Sequence, residues 1–266
     1  MTAFVAKKPT FYLPLLEPIR AMGELATQPL GARLLGFAPD GDNHPVLTLP
    51  GFLGGDGSTM LLRRFLGRKN YRAYPWLLGR NNGPHSSGEN GALLDKRICE
   101  IYEETGEKVS LVGWSLGGVM ARNAARRIPD KVRQVITLGS PFEAHQNSTS
   151  IAPIFRLISG RDPNADEFRE ILDYNRPPPP VEVPSTAIFT KTDGVVHWEG
   201  CVERPADNTD NIEVYVSHLG LGFSPIVQFL LAERLAVPVE EWSPFDRKAQ
   251  AWRMVTFPSA GHSYGF

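Results

Sequence analysis

The sequence predicts an α/β protein with a mostly parallel central sheet flanked by helices, and three observations carry that expectation. Short apolar runs rich in strand formers alternate with segments of helical periodicity, the pattern of βαβ units. A G-x-S-x-G pattern formed by Gly113, Ser115 and Gly117 falls at the junction between one such run and one such segment. Ser115, Asp193 and His218 each follow a predicted strand, in that order along the chain.

The 266 residues are enough to bury a sizeable core, and they are read as one domain spanning 1–266. Hydrophobic residues make up 42% of the chain, and the 28 basic and 29 acidic residues leave a net charge of −1 with no block of like charge. This excludes a nucleic-acid partner or an anionic membrane surface as the basis of function. No apolar run reaches the ~18 residues of a membrane helix. The stretch Phe11-Tyr12-Leu13 is interrupted by Pro14, Glu17 and Arg20 before it reaches signal-peptide length, so a cytoplasmic location is the default expectation. The two cysteines, Cys99 and Cys201, match no metal spacing and are expected to be buried free thiols.

Taken in order, residues 1–44 offer a short helix opening at Pro18 with Ile19, Met22 and Leu25 on one face, then a turn-rich lead-in in which His44 is expected at the surface. Val46 to Leu49 reads as a strand. It stops at the glycine-rich stretch Pro50 to Gly57, a loop able to turn a backbone N–H inward. A helix capped by Ser58 presents Leu61, Leu62, Phe65 and Leu66. Tyr71 to Leu78 is the next strand, followed by a polar loop from Gly79 to Gly91 and a helix with Leu94, Ile98, Ile101 and Tyr102 on one face, ended by Gly106.

Lys108 to Val112 is the strand before the serine. After it, Gly117, Met120, Ala121, Ala124, Ala125 and Ile128 fall at helical spacing, with Arg122, Asn123, Arg126 and Arg127 on the other face and Pro129 as the stop. Strand, tight turn and helix is the context that exposes a nucleophilic serine, because glycines two residues either side remove Cβ atoms that would clash in the turn. Val132 to Leu138 is the following strand and leads into Gly139-Ser140-Pro141-Phe142. Residues 143–184 break the alternation. Two short helices fit there, followed by Pro177 to Pro180, and the stretch is read as a small helical cap inserted before the acid-bearing strand end. Its Ile154, Phe155 and Ile158 are candidates for the wall of an acyl pocket, with Trp114 and Leu219 beside the serine and histidine.

Thr186 to Thr190 resumes the sheet and runs into Asp193; Ile212 to Val216 is the last strand and ends at Ser217-His218. A final helix opens with Ser224 as cap and Pro225 at its first position, and the aromatic tail with Trp242, Phe245, Trp252 and Phe257 is expected to pack on the domain.

A serine hydroxyl is a weak nucleophile at neutral pH. An imidazole must take its proton, and a buried carboxylate must hold that imidazole's tautomer. Among six histidines, His218 is chosen because a base at the end of the last strand reaches the serine turn; His85, His145, His197 and His262 are rivals. Among the acids Asp193 is chosen over Glu199, Asp207 and Asp210, the last read as a turn residue.

Gly-Trp-Ser-Leu-Gly-Gly, Thr-Leu-Gly-Ser-Pro-Phe, Thr-Asp-Gly-Val-Val and Ser-His-Leu-Gly-Leu together resemble the lipase and carboxylesterase branch of the α/β-hydrolase superfamily, over about residues 45–236. The resemblance implies the α/β-hydrolase fold, with Ser115, Asp193 and His218 as catalytic triad and the backbone N–H groups of Leu116 and Phe52 as oxyanion hole. Many such lipases carry His-Gly where this chain has Pro50-Gly51. The implied reaction is carboxylic ester hydrolysis through an acyl-enzyme on Ser115, with a small-molecule ester bearing an apolar group as partner and no metal or organic cofactor. The alternatives are an acyltransferase using the same triad, and a non-catalytic binding protein on the same fold.

Overall fold

A computed structural model describes residues 9–142 and 180–261. Six strands form one parallel sheet: β1 (Pro45–Leu49), β2 (Arg72–Pro75), β3 (Val109–Trp114), β4 (Val132–Leu138), β5 (Ser185–Phe189) and β6 (Thr209–Glu213), in the order β2-β1-β3-β4-β5-β6. The four inner strands β1, β3, β4 and β5 are largely buried on both faces because both faces are covered, as a parallel sheet requires. Val46, Val112, Ile136 and Ile188 point into a core shared with α3 (Met60–Arg68) and α6 (Pro225–Leu235). Leu47, Leu49, Leu111, Val135 and Ala187 point the opposite way, onto α4 (Ala92–Thr105) and α5 (Leu116–Arg127). The alternation along each strand assigns its side chains to the two layers.

Register decides which loops meet. Leu49 stands opposite Gly113, Trp114 opposite Leu138, and Leu138 opposite Ile188. The segments leaving β1, β3, β4 and β5 therefore emerge side by side at the carboxyl edge, where open parallel sheets place functional groups.

Several elements differ from expectation. The strand expected over Tyr71 to Leu78 pairs only from Arg72 to Pro75. As an edge strand it bonds to β1 alone, that ladder stops at Thr48 opposite Pro75, and the Trp76 and Leu77 N–H groups turn to the Asp56 carboxylate at 3.0 and 3.3 Å. The last strand lies earlier than expected, with Asp210 inside it and buried. Both Asp210 oxygens accept main-chain N–H groups, from Asn211 at 2.9 Å and from Phe245 at 2.7 Å, so the residue read as a turn former anchors the aromatic tail. Ser58 is not a helix cap. Its hydroxyl donates to the Gly55 carbonyl at 2.7 Å, and α3 opens two residues later.

The first helix, α1 (Leu13–Ala26), is longer than expected and contains Pro18 rather than starting at it. Its orientation is the larger correction: Ile19, Met22 and Leu25 are exposed, while Leu13, Glu17 and Ala21 are buried. It is followed by α2 (Gln28–Gly36), whose Leu35 joins the core on the α6 side. In α5 the face read as polar contains Arg122, which is buried, lies over the Phe142 ring at 4.0 Å and pairs with buried Glu203. Phe245 and Phe257 of the tail are in the core, and two main-chain bonds join β6 to the tail: Gly261 N–H donates to the Asn211 carbonyl and Glu213 N–H to the Ser259 carbonyl, 2.9 Å each. A short helix, α7 (Ala251–Thr256), lies between them in the chain. Cys201 is buried and Cys99 is half-buried; both are free thiols. Among the described residues no helix is long and apolar enough to cross a membrane.

Candidate active site

At the end of β3 the chain turns into α5 through Ser115, whose φ of 53° and ψ of −122° lie outside the regions open to most side-chain-bearing residues. The turn is held by its main-chain bonds: Ser115 N–H donates to the Leu138 carbonyl at 2.8 Å, and Gly118 N–H to the Ser115 carbonyl at 3.0 Å. It is also held by closeness. A Cβ on Gly117 would lie 2.5 Å from the Leu49 carbonyl oxygen, and one on Gly113 would meet the Gly118 backbone, so the glycines of the pattern are there for want of space. The serine side chain is 6% exposed.

Asp193 lies four residues beyond β5 and is buried. One carboxylate oxygen accepts the N–H groups of Val195 and Val196, both at 2.8 Å, and the other accepts from His218 Nδ1 at 2.6 Å. Two backbone donors hold the carboxylate, and the carboxylate holds the imidazole, leaving Nε2 as the ring's other functional nitrogen. Burial alone would pull the His218 pKa down. The Asp193 charge and hydrogen bond, together with the charge of Glu17, outweigh it and hold the imidazole above its ordinary value. Burial, with the Asp193 charge, pushes the nearby Cys201 thiol well up, so it is a neutral group.

His218 does not end a strand as expected. It lies beyond β6 because β5 has turned away after Phe189, whose carbonyl accepts the last ladder bond from Val214 N–H at 2.9 Å. Past that point the backbone donors of Ser217, His218 and Leu219 go to carboxylates of α1.

Trp114 links the serine to the histidine. Its indole N–H donates to the His218 carbonyl at 3.1 Å, with the two rings 6.4 Å apart. Gly139, just after β4, is the second link: with φ at +54°, a Cβ there would stand 3.1 Å from His218 Nδ1 and 3.3 Å from Asp193 Oδ2. The loop after β1 closes the other side, since a Cβ on Gly51 would lie 3.3 Å from Ser115 Cβ. Buried Asn81 pins that loop: its side-chain N–H donates to the Pro50 carbonyl at 2.8 Å, and its carbonyl accepts Leu53 N–H at 2.7 Å. Phe52 belongs to this pinned loop, and Leu116 opens α5, where the first N–H groups of a helix have no partner within it.

The sequence reading missed Asn81, Gly139, Glu17 and Glu24. Gly139 was visible in the Leu-Gly-Ser-Pro stretch; the others had no local signal. Of the rivals, Asp207 is exposed, and His197 lies 3.8 Å from Glu199, while the bond to Asp193 is made by His218. His145 and His262, residues 143–179 of the stretch read as a cap over about 143–184, and its Ile154, Phe155 and Ile158 lie outside the described residues.

A bonded Ser–His–Asp chain occupies the amino edge of the sheet. His44, expected at the surface, is fully buried; its Nδ1 bonds to Asp42 and its Nε2 lies 2.9 Å from the hydroxyl of Ser110. Arg133 pairs with Asp42 at 2.8 Å, and the Tyr71 ring packs edge-on to the imidazole with centroids 5.1 Å apart. Ser110 sits inside β3 with no exposure, so nothing reaches its hydroxyl. This network ties strand ends together.

A strained serine turn and a carboxylate-held imidazole, linked through Trp114 at the carboxyl edge of a parallel sheet, make that edge the candidate site of an α/β protein. The chain belongs to the alpha/beta hydrolase family, whose model matches residues 25–266. It is 33% identical over 72 residues to a pimeloyl-[acyl-carrier protein] methyl ester esterase of Aliivibrio fischeri, covering 26% of this chain and 28% of that protein. It is 38% identical over 56 residues to the enzyme of the same name from Aliivibrio salmonicida, covering 21% and 22%. The matched region is thus about a quarter of those esterases. Among solved structures, Aspergillus fumigatus lipase B superposes with a TM-score of 0.57 at 16% identity, over 80% of this chain and 56% of that one. The pyrethroid hydrolase PytH gives 0.53 at 18% identity, over 74% and 99%. At such identities these two show a shared fold.

Proposed function

We propose that the protein is a serine hydrolase that cleaves carboxylic esters through an acyl-enzyme. Ser115 attacks the ester carbonyl while His218 takes its proton; Asp193 holds the imidazole and stabilises its charged form; the N–H groups of Leu116 and Phe52 receive the oxyanion. The tetrahedral intermediate collapses as His218 returns the proton to the leaving alcohol. Water then attacks the acyl-enzyme with the same base, releasing the acid and restoring Ser115. The observation that carries the reading is the 2.6 Å bond between His218 and Asp193, held at the sheet edge from which the strained Ser115 turn emerges.

Ester is favoured as the bond class because two partial relatives are named for a methyl ester. The chain is read as one domain, with Trp114 and Leu219 as walls of an apolar acyl pocket beside Ser115 and His218. The substrate is accordingly a small ester with an apolar acyl or alkyl group. Labelling with a fluorophosphonate, peptide mapping of the product and turnover of p-nitrophenyl esters of increasing acyl length test this together. Label on Ser115 with turnover that rises with acyl length is the expected result. Label absent from Ser115 overturns the triad, and label without turnover of any ester moves the reading to acyl transfer.

A further inference from the structure

The face of α1 turned toward the sheet carries Glu17, Arg20 and Glu24, at the spacing of one helical stripe, and all three bond to the two loops that carry Asp193 and His218. Glu17 Oε1 accepts the N–H of Gly194 at 2.8 Å and of His218 at 3.1 Å, and Oε2 accepts that of Leu219 at 3.2 Å. Glu24 accepts both the N–H and the hydroxyl of Ser217, each at 2.7 Å. Arg20 donates to the carbonyl and hydroxyl of Thr192 at 2.6 and 2.8 Å. One carboxylate thus bonds to the residue after Asp193 and to His218 itself, segments more than twenty positions apart in the chain.

A buried carboxylate is costly unless donors converge on it, and Glu17, 4% exposed, receives three backbone N–H groups with Arg20 at 3.8 Å. The loops are shaped for the helix. A Cβ on Gly194 would lie 2.6 Å from the Leu13 carbonyl oxygen and 2.7 Å from Glu17 Cγ, and one on Gly220 would overlap the Glu24 carboxylate. We propose that Glu17 is a positioning residue of the active site, clamping the acid loop to the histidine loop so that Asp193 and His218 keep their register, with Glu24 holding the histidine loop one residue earlier. The inference rests on the triad reading of Ser115, Asp193 and His218. Glu17 also sets the field at the imidazole. The charged groups facing His218 are Asp193 from the acid loop, with the neutral Cys201 thiol beside Asp193, and Glu17 from α1, itself paired with Arg20, while Glu24 bonds to the neighbouring Ser217.

The test is the rate of fluorophosphonate labelling of the full chain across pH, per folded molecule, in the wild type and in Ser115→Ala, Glu17→Gln and Glu24→Gln. Glu17→Gln is expected to label roughly tenfold more slowly on the pH plateau, the loss of a charge-assisted contact network. Its acid limb is expected to move to lower pH, because a negative charge that favours the protonated imidazole is gone. A purely structural role would lower the melting temperature and leave the limb in place. A wild-type rate and limb in Glu17→Gln, with Ser115→Ala unlabelled, overturns the clamp alone. Undiminished labelling in Ser115→Ala overturns the triad reading instead. Should Glu17→Gln fail to fold, Glu24→Gln decides: slower labelling supports the clamp, and a wild-type rate overturns it.

Discussion

The indole N–H of Trp114 donates to the main-chain carbonyl of His218 across 3.1 Å, so the residue before the nucleophilic turn is bonded to the residue read as the base. The contact is packed as well as bonded, since Gly222 presents its α-carbon side to the Trp114 ring with room for no Cβ beyond 3.0 Å. The serine turn and the histidine loop are therefore joined through Trp114 by both a bond and a packing contact. Trp114→Phe keeps a ring against Gly222 and removes the donor. Ester turnover is expected to fall about five- to tenfold, the scale of one net hydrogen bond, with kcat carrying more of the loss than KM. An unchanged kcat would show that the bond has no part in positioning.

The pH dependence follows from which form of His218 works. On the proposed mechanism the base must be neutral to take the Ser115 proton, so activity is expected to rise with pH through the His218 pKa. Burial lowers that pKa, but the charge and hydrogen bond of Asp193 and the charge of Glu17 raise it above the ordinary 6.5. The acid limb of kcat/KM is therefore expected to have its midpoint above 6.5. Asp193→Asn is expected to move that midpoint down and to cut turnover by roughly 10⁴-fold through the wrong tautomer. A midpoint below 6.5 in the wild type would mean that desolvation wins.

Gly139 is a sharper probe of the same pair. Its φ of +54° disfavours any Cβ, and that Cβ would press on Leu221 at 2.6 Å, on His218 Nδ1 at 3.1 Å and on Asp193 Oδ2 at 3.3 Å. Gly139→Ala is expected to lose about 1 kcal/mol or more of stability from backbone strain. Turnover is expected to fall far more than that cost alone implies, because the displaced atoms are those of the proposed acid and base. Thermal melting and ester assays on the same sample separate the two effects; full activity with a lowered melting temperature would show that the pair tolerates displacement.

What could be read from the sequence was local or periodic. The central strands are buried on both faces, so Val46 to Leu49 and Val132 to Leu138 stand out as apolar runs, and the glycine spacing around Ser115 reports a turn that only small residues allow. Asp193 and His218 were legible because they lie just beyond strand segments in chain order. Glu17 and Glu24 were not: by themselves they are ordinary acids on a helix, and only the backbone of loops at Gly194 and at Ser217 to Leu219 makes them buried acceptors. The same remoteness hid the true inner face of α1, where apolar spacing pointed to Ile19, Met22 and Leu25, all exposed. The edge strands β2 and β6 differ in extent from expectation because each forms a ladder with one strand only, and that ladder stops where its partner strand stops, the tail meeting β6 through an isolated bridge at Ile212.

His44 allows the two Ser–His–Asp arrangements to be told apart by thermodynamics. Burial, partly opposed by the Asp42 hydrogen bond, lowers the His44 pKa below 6.5, whereas that of His218 stands above 6.5. For His44 the unfolded chain binds the extra proton between the lowered folded pKa and 6.5, so stability is complete above 6.5 and is lost as pH falls through that window. For His218 the folded chain binds the extra proton between 6.5 and its raised pKa, so its contribution is complete below 6.5 and is lost as pH rises. The two histidines slope the stability curve in opposite directions on either side of 6.5. Asp42, held at about 2, acts only at more acidic pH, below the ordinary carboxylate value of 3.8. Urea unfolding across this range is expected to show His44→Gln flattening the acid side and His218→Gln flattening the alkaline side, whatever each substitution does to absolute stability. Ser110→Ala is expected to lower stability by about 1 kcal/mol through the lost bond to His44 and to leave fluorophosphonate labelling at the wild-type rate. Loss of labelling in Ser110→Ala would place reactivity at the amino edge of the sheet and remove the ground for choosing Ser115.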